Sequence, residues 1–304
     1  MKEHDLIVKF RSISNATDKE IFNVINIENM SHYLGKTIEG YPCFFISNNG
    51  DSNIALNIDR EFLSVEYSIS CLLKNEQGCI EEKQYYTMIT LRTLETILQN
   101  YFIDIFSMML SKMPSNPSKH ELSICIENLI TIFSALNKPP KKKIQGLWAE
   151  MFVIYSANNP TALIESWHSQ PNAKYDFTMG QAKIEVKSTS SEERIHRFSL
   201  NQLNPSPSSS LLIASVTVRE SANSSTGLSV LDLYDKICER VEHIEARTRL
   251  YRVMAETIGN DFAKLNDIFF DAVEATDSLA FFDYHLVPKI DKITVPQHVS
   301  QVTL

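Results

Sequence analysis

The chain has 304 residues, 43% apolar and 22% charged, with 29 Lys and Arg against 37 Asp and Glu for a formal net charge of −8. That balance excludes a disordered or fibrous protein, and the acidic total excludes one that holds nucleic acid by bulk charge alone. The longest apolar runs reach roughly half of a membrane span, and the N-terminal MKEHDLIVKFRSIS shows no secretory h-region.

Residues 1–90 read mostly as short strands: YPCFFI, NIALNI, LSVEYSISCLL and QYYTMITL, rich in β-branched and aromatic residues and separated by Asn-Gly-Asp and Gln-Gly turns. From Thr90 the period lengthens, and Leu91, Leu94, Leu98, Tyr101, Ile105 and Met108 predict a helix to about Ser111. Pro114 and Pro117 break it. A second helix spans about His120 to Asn137 and stops at Pro139-Pro140, which mark a domain boundary. A third runs from about Lys142 to Ala157. Strand-like stretches follow at LIESW (163–167), KYDFTM (174–179) and AKIEVKS (182–188), then a Ser/Pro loop and the strand LLIASVTV (211–218). Helices at 229–243 and 245–258 and strands near 267–274 and 279–287 complete the chain. The domains expected are a β-rich N-terminal domain (1–90), a helical connector (91–139), a core (140–226) and a C-terminal α+β extension packed on it (227–304). The five cysteines, Cys43, Cys71, Cys79, Cys125 and Cys238, have no C-x-x-C spacing. This argues against a disulfide framework or a cysteine-rich zinc site and points to a cytoplasmic protein with reduced thiols.

Residues 138–219 carry ten basic and six acidic groups, a net of +4 inside an acidic chain. The same segment holds Asp176 and, in the next strand, Glu185-Val186-Lys187. An acid followed by acid-x-Lys is weak by count, since chance gives roughly two such tripeptides here and Glu81-Glu82-Lys83 is the other. Context separates them. In KIEVK the apolar residues alternate with charged ones, so Glu185 and Lys187 share one strand face, about 6–7 Å apart, with Ile184 and Val186 on the other. Glu81 lies in the polar run CIEEKQYY. The plain alternative for Glu185 and Lys187 is a solvated charge pair. Glu150 sits at the edge of the apolar arc Ile144, Leu147, Trp148, Met151, Ile154 and Tyr155, with no basic residue at i±3 or i±4. It lies too deep in its helix for the dipole to explain it, so its partner is either a metal or a distant Lys or Arg.

Asp176, Glu185-Val186-Lys187 and the helix Glu of Gly-Leu-Trp-Ala-Glu resemble the PD-(D/E)XK signature of restriction-endonuclease-like nucleases, over roughly 142–218. Asn172-Ala-Lys-Tyr stands before Asp176 where a Pro-Asp pair would be. RIHRFSLNQL (194–203), Trp167 and Tyr175-Asp176-Phe177 resemble an uncharacterised bacterial PD-(D/E)XK family of restriction and phage-defence neighbourhoods. The resemblance implies an α/β fold (α+β overall), a restriction-endonuclease-like core with a mixed central sheet flanked by helices. It implies Mg²⁺, with Mn²⁺ able to substitute, on Asp176, Glu185, the main chain of Val186 and Glu150. Asp176, Glu185, Lys187 and Glu150 would be catalytic, Lys187 as orienter and electrostatic stabiliser; Gln202, Arg194, Arg197 and Ser188 would face substrate.

The implied activity is phosphodiester hydrolysis in DNA by an endonuclease of a restriction or phage-defence system. The alternative is a catalytically silent nuclease-fold subunit that binds DNA or a partner protein. Cutting both strands of a duplex takes two active sites, which a homodimer would supply. No P-loop occurs, so any ATPase would be a separate subunit, and a defence system could also bring a separate methyltransferase subunit. The remaining features read more plainly. His168 and His196 lack metal-ligand spacing and read as surface or interface histidines; His196 with Arg194 and Arg197 could also contact phosphates. Phe281, Phe282 and Tyr284 read as alternating strand core. Lys141-Lys142-Lys143 is either a phosphate-binding helix start or a solubilising patch.

Overall fold

A computed structural model of the chain describes residues 3–27, 31–47, 56–75, 84–114, 117–140, 142–168, 173–221 and 227–290. Glu81-Glu82-Lys83, Cys79, Lys141, Asn172 and residues 53–55 of NIALNI lie outside the described residues. The chain divides into two compact units, Met1–Asn137 and Lys138–Leu304.

In the first unit, α1 (Glu3–Ser12) precedes β1 (Ile21–Asn26), β2 (His32–Lys36), β3 (Pro42–Ser47), β4 (Ile58–Asp59), β5 (Leu63–Lys74) and β6 (Gln84–Leu91). The sheet runs β1-β2-β3-β6-β5-β4, and β1 also pairs in parallel with β5, so five strands close on themselves. Period-two alternation sorts the aromatics. Phe45 turns inward onto Phe22 and Tyr86, whereas Phe44 turns outward onto Phe102 and Phe106 of α2 (Thr96–Ser111). Phe102 in turn meets Phe133 of α3 (Lys119–Ala135), which begins at a Ser118–Glu121 capping box.

Two expectations change here. Residues 3–12 form a helix with Leu6 and Phe10 buried at i, i+4 spacing. The helix expected from Thr90 starts at Thr96, because Thr90 and Leu91 end β6 against Ser64 and Leu63, and Leu94 is exposed.

The second unit is built on a four-stranded mixed sheet, β12-β9-β8-β7. Here β7 is Phe177–Met179, β8 Ala182–Thr189, β9 Ser210–Thr217 and β12 Ala280–Asp283. Only β8 and β9 run parallel, in register from Ala182↔Ser210 to Thr189↔Thr217. Their crossover, residues 190–209, contains no helix, unlike the usual parallel connection. It crosses the sheet instead, placing Leu203 in a cluster with Tyr175, Leu211 and Ile213. Around the sheet lie α4 (Ile144–Ser156), α5 (Pro160–Ser166), α6 (Val230–Arg240), α7 (Ile244–Ile258) and α8 (Ala272–Ser278). A small pair, β10 (Gly227–Leu228) with β11 (Phe270–Asp271), completes the unit.

Packing fixes the rotation of α4. Trp148 is fully buried, stacks on Phe152 at 4.9 Å, and donates from Nε1 to the Leu228 carbonyl at 2.8 Å. The segment entering α4 is pinned at Gly259, whose φ is +54° and where a Cβ would stand 2.0 Å from the Lys138 carbonyl oxygen. Only glycine accepts that backbone and that approach.

Three local expectations are corrected. LIESW is not a strand: Asn159 caps α5 by accepting from Ala162 N, and Pro160 occupies its first turn, a start signal that outweighs the β-branched content. The strand near 267–274 is two residues long, because Asp271 accepts from Val273 N and Glu274 N and so starts α8. Phe281 and Phe282 are not core; on the short edge strand β12 they are 50% and 37% exposed, while Tyr284 lies in a 3₁₀ turn. No helix among the described residues is long and apolar enough to cross a membrane.

Candidate functional site

Glu150 projects from the middle of α4, Asp176 stands immediately before β7, and Glu185, Val186 and Lys187 lie in β8. All three acids are buried, at 2%, 5% and 4% exposure, which demands partners for their charges. Asp176 is tied to the motif strand directly: its Oδ2 accepts from the Val186 amide at 2.8 Å. Glu185 Oε1 accepts from Lys187 Nζ at 2.8 Å and from Gln202 Nε2 at 2.5 Å. Gln202 comes from the crossover, so the loop that replaces the usual helix covers the Glu185 and Lys187 face rather than leaving it in water. Phe198, also from that loop, lies beneath the Lys187 ammonium with its ring centre at 5.0 Å.

Glu150 does have a distant lysine. Lys142 folds back along α4, and its ammonium bonds Glu150 Oε1 and, at 2.6 Å, Asp176 Oδ1. The other Glu150 oxygen accepts from the Trp167 indole at 2.7 Å and lies 2.9 Å from His168 Nε2. Several contacts hold Trp167 and His168 there. Arg249 of α7 donates to the Ile164 and Trp167 carbonyls at 2.8 and 2.6 Å. His168 N donates to the Asp176 carbonyl at 2.9 Å, and Trp167 bridges to Phe177. His168 itself takes a left-handed backbone, φ +42°, as the chain leaves α5.

These contacts shift the acids in physical terms. Burial, and then the neighbouring Asp176 charge, push Glu185 up to about 7 against the pull of Lys187. Burial and the charge of Glu150 also raise Asp176, despite Lys142. Burial would raise Glu150 too, but the His168 contact and the Lys142 charge outweigh it and hold its carboxyl low. Glu185 thus feels the charge of Asp176, and Asp176 that of Glu150.

The other expected site residues fall elsewhere. Arg194 is committed to the fold, with Nη1 donating to Ser215 O at 3.0 Å and Ser215 Oγ at 2.7 Å and Nη2 to Ser278 O. Arg197 is exposed. Ser188 is one residue past Lys187 on the strand and so faces away from it. His196 lies 2.7 Å from Ser215 Oγ. His168, read as a surface histidine, stands beside the acids because residues 167–168 pair with 176–177, a long-range contact with no helical or strand spacing to announce it. Lys142 at i−8 from Glu150 was equally hidden in a lysine run.

The donor set suits a divalent cation. Ligating atoms of Glu150, His168 and Asp176 all lie within 4.8 Å of one another, and Glu185 is linked to Asp176 through Val186.

Residues 7–304 match the family described as "Putative PD-(D/E)XK family member, (DUF4420)". The chain belongs to that family. No curated protein matches it, and no solved structure does.

Proposed function

We propose that the protein is a divalent-metal-dependent DNA endonuclease, using Mg²⁺ or Mn²⁺, that acts in the cytoplasm in a restriction or phage-defence system. What supports this reading is a chain of contacts: Lys142 joins Glu150 of α4 to Asp176, Asp176 accepts from the Val186 amide of β8, and the flanking Glu185 and Lys187 of that strand pair with each other. Membership in a PD-(D/E)XK family supports the nuclease class.

Asp176 and Glu185 would hold the ion with the main chain of Val186, and the ion would acidify a water and offset charge on the scissile phosphate. Lys187 would orient the attacking water and stabilise the phosphate, since its side chain lies on the Glu185 face of the strand and is 18% exposed. Gln202 fixes the Glu185 carboxylate, and Trp167 and His168 fix Glu150. Glu150 serves as accessory acid. Exposed Arg197 is a phosphate contact, and a homodimer would cut both strands. ATPase or methyltransferase functions, where the system has them, belong to separate subunits. A silent binding subunit would have no need of buried Asp176 and Glu185 with Lys187 paired beside them.

The test is supercoiled plasmid at low salt with Mg²⁺ or Mn²⁺. Nicking by wild type that is lost in Asp176→Ala and Lys187→Ala supports the enzyme. Metal-independent DNA binding that survives both changes, without nicking, overturns it in favour of the silent subunit.

A further inference from the structure

Lys142 precedes the first residue of α4 by two positions, where the positive end of the helix disfavours a cation. Its ammonium nevertheless lies between Glu150 Oε1 and Asp176 Oδ1. About a third of its side chain is exposed, while those of Glu150 and Asp176 are 3% and 7% exposed. The amine therefore reaches in from the solvent side and neutralises two buried carboxylates that have no other lysine or arginine among their described ion pairs. The residues it joins are two of the three, with His168, that each offer a ligand atom within 4.8 Å of the others.

Resting on the nuclease reading above, we infer that Lys142 stands in for a second divalent ion, so that the site holds a single metal at its Asp176–Glu185 end. Charge favours this division. Three carboxylates against the ammoniums of Lys142 and Lys187 leave a net −1, which one divalent ion turns to +1 before a phosphodiester arrives. A second ion beside the amine would face direct like-charge repulsion with few waters to screen it. The lysine supplies the same positive charge permanently, without requiring a second metal. It is a positioning residue: it holds Glu150 and Asp176 in place and leaves Asp176 and Glu185 to the ion.

The experiment counts Mn²⁺ bound to the full chain by electron paramagnetic resonance. One equivalent is expected for wild type, and two for Lys142→Met and Lys142→Gln, with the extra equivalent lost again on Glu150→Gln in the Lys142→Met background. Tryptophan fluorescence checks that each variant is folded. Two equivalents on wild type overturn the inference, and so does one equivalent on a folded Lys142→Met with unchanged affinity. Should both variants fail to fold, the wild-type count alone decides. Plasmid nicking distinguishes the two levels: two bound ions with nicking sink the stand-in role and leave the nuclease, whereas no bound ion and no nicking sink both.

Discussion

Replacing Glu150 with alanine should destabilise the second unit far more than replacing it with glutamine. Alanine leaves the buried Trp167 indole without its acceptor, at about 1–3 kcal/mol. It also removes one of two carboxylates from Lys142, a loss softened to about 1 kcal/mol because that amine is partly exposed. The vacated volume beside Asp176 adds about 1–2 kcal/mol. These contributions share partners and will not add fully, so about 3–5 kcal/mol is expected. Glutamine keeps the volume and an oxygen for Trp167 and loses chiefly the charge, at about 1–2 kcal/mol. Both tryptophans of the chain, Trp148 and Trp167, lie in Lys138–Leu304, so their fluorescence reports this unit. In urea with EDTA, and with m of about 2 kcal/mol/M, the midpoint should fall by about 2 M for alanine and by under about 1 M for glutamine. Equal shifts would refute the reasoning, because Glu150 would then matter only as a charge.

Gln202→Ala should weaken Mn²⁺ binding about 10–100-fold and reduce cleavage with it while leaving the urea midpoint nearly unchanged, since the amide orients Glu185; isothermal titration checks this, and unchanged affinity counts against it. Arg194→Ala should lower stability by about 1–3 kcal/mol without changing the salt dependence of DNA binding, whereas Arg197→Ala should flatten that slope by about one. Filter binding across a salt series separates them, and a reversed pattern would assign the phosphate contact to Arg194. Burial pushes the Cys125 thiol up to about 12, so at pH 8 only about one part in 10⁴ is thiolate. Mass spectrometry after native iodoacetamide treatment should find Cys125 unmodified until the protein is denatured; rapid native labelling there would contradict its burial.

The parts of the site that the sequence disclosed are those governed by local periodicity. KIEVK alternates, and β8 indeed sets Glu185 and Lys187 on one face; what the alternation could not show was that residues 190–209 cover that face, so that Glu185 is buried rather than half solvated. The apolar arc of α4 revealed that Glu150 needs a partner. Choosing between a metal and a lysine required knowing that Lys142 bends back past a whole turn, which no i±3 or i±4 rule encodes. His168 was hidden for a similar reason, since its place depends on residues 167–168 pairing with 176–177. In the fold, β3, β5 and β6 and the helices α2, α3, α4, α6 and α7 follow their patterns, with ends shifted where a cap or a strand partner takes over. α5 was missed because Leu163 and Ile164 resemble strand residues once Asn159-Pro160 is overlooked as a helix start. Phe281 and Phe282 were misplaced because hydrophobicity cannot tell an edge strand from a central one.

The most direct measurement is an anomalous difference map from crystals grown with Mn²⁺. A single peak is expected within about 2.1–2.4 Å of carboxylate oxygens of both Asp176 and Glu185, with Lys187 alongside and the Lys142 amine still between Glu150 and Asp176. A map with no peak at those two acids, in crystals whose solution counterpart binds Mn²⁺, would contradict the gathering of these groups around one metal.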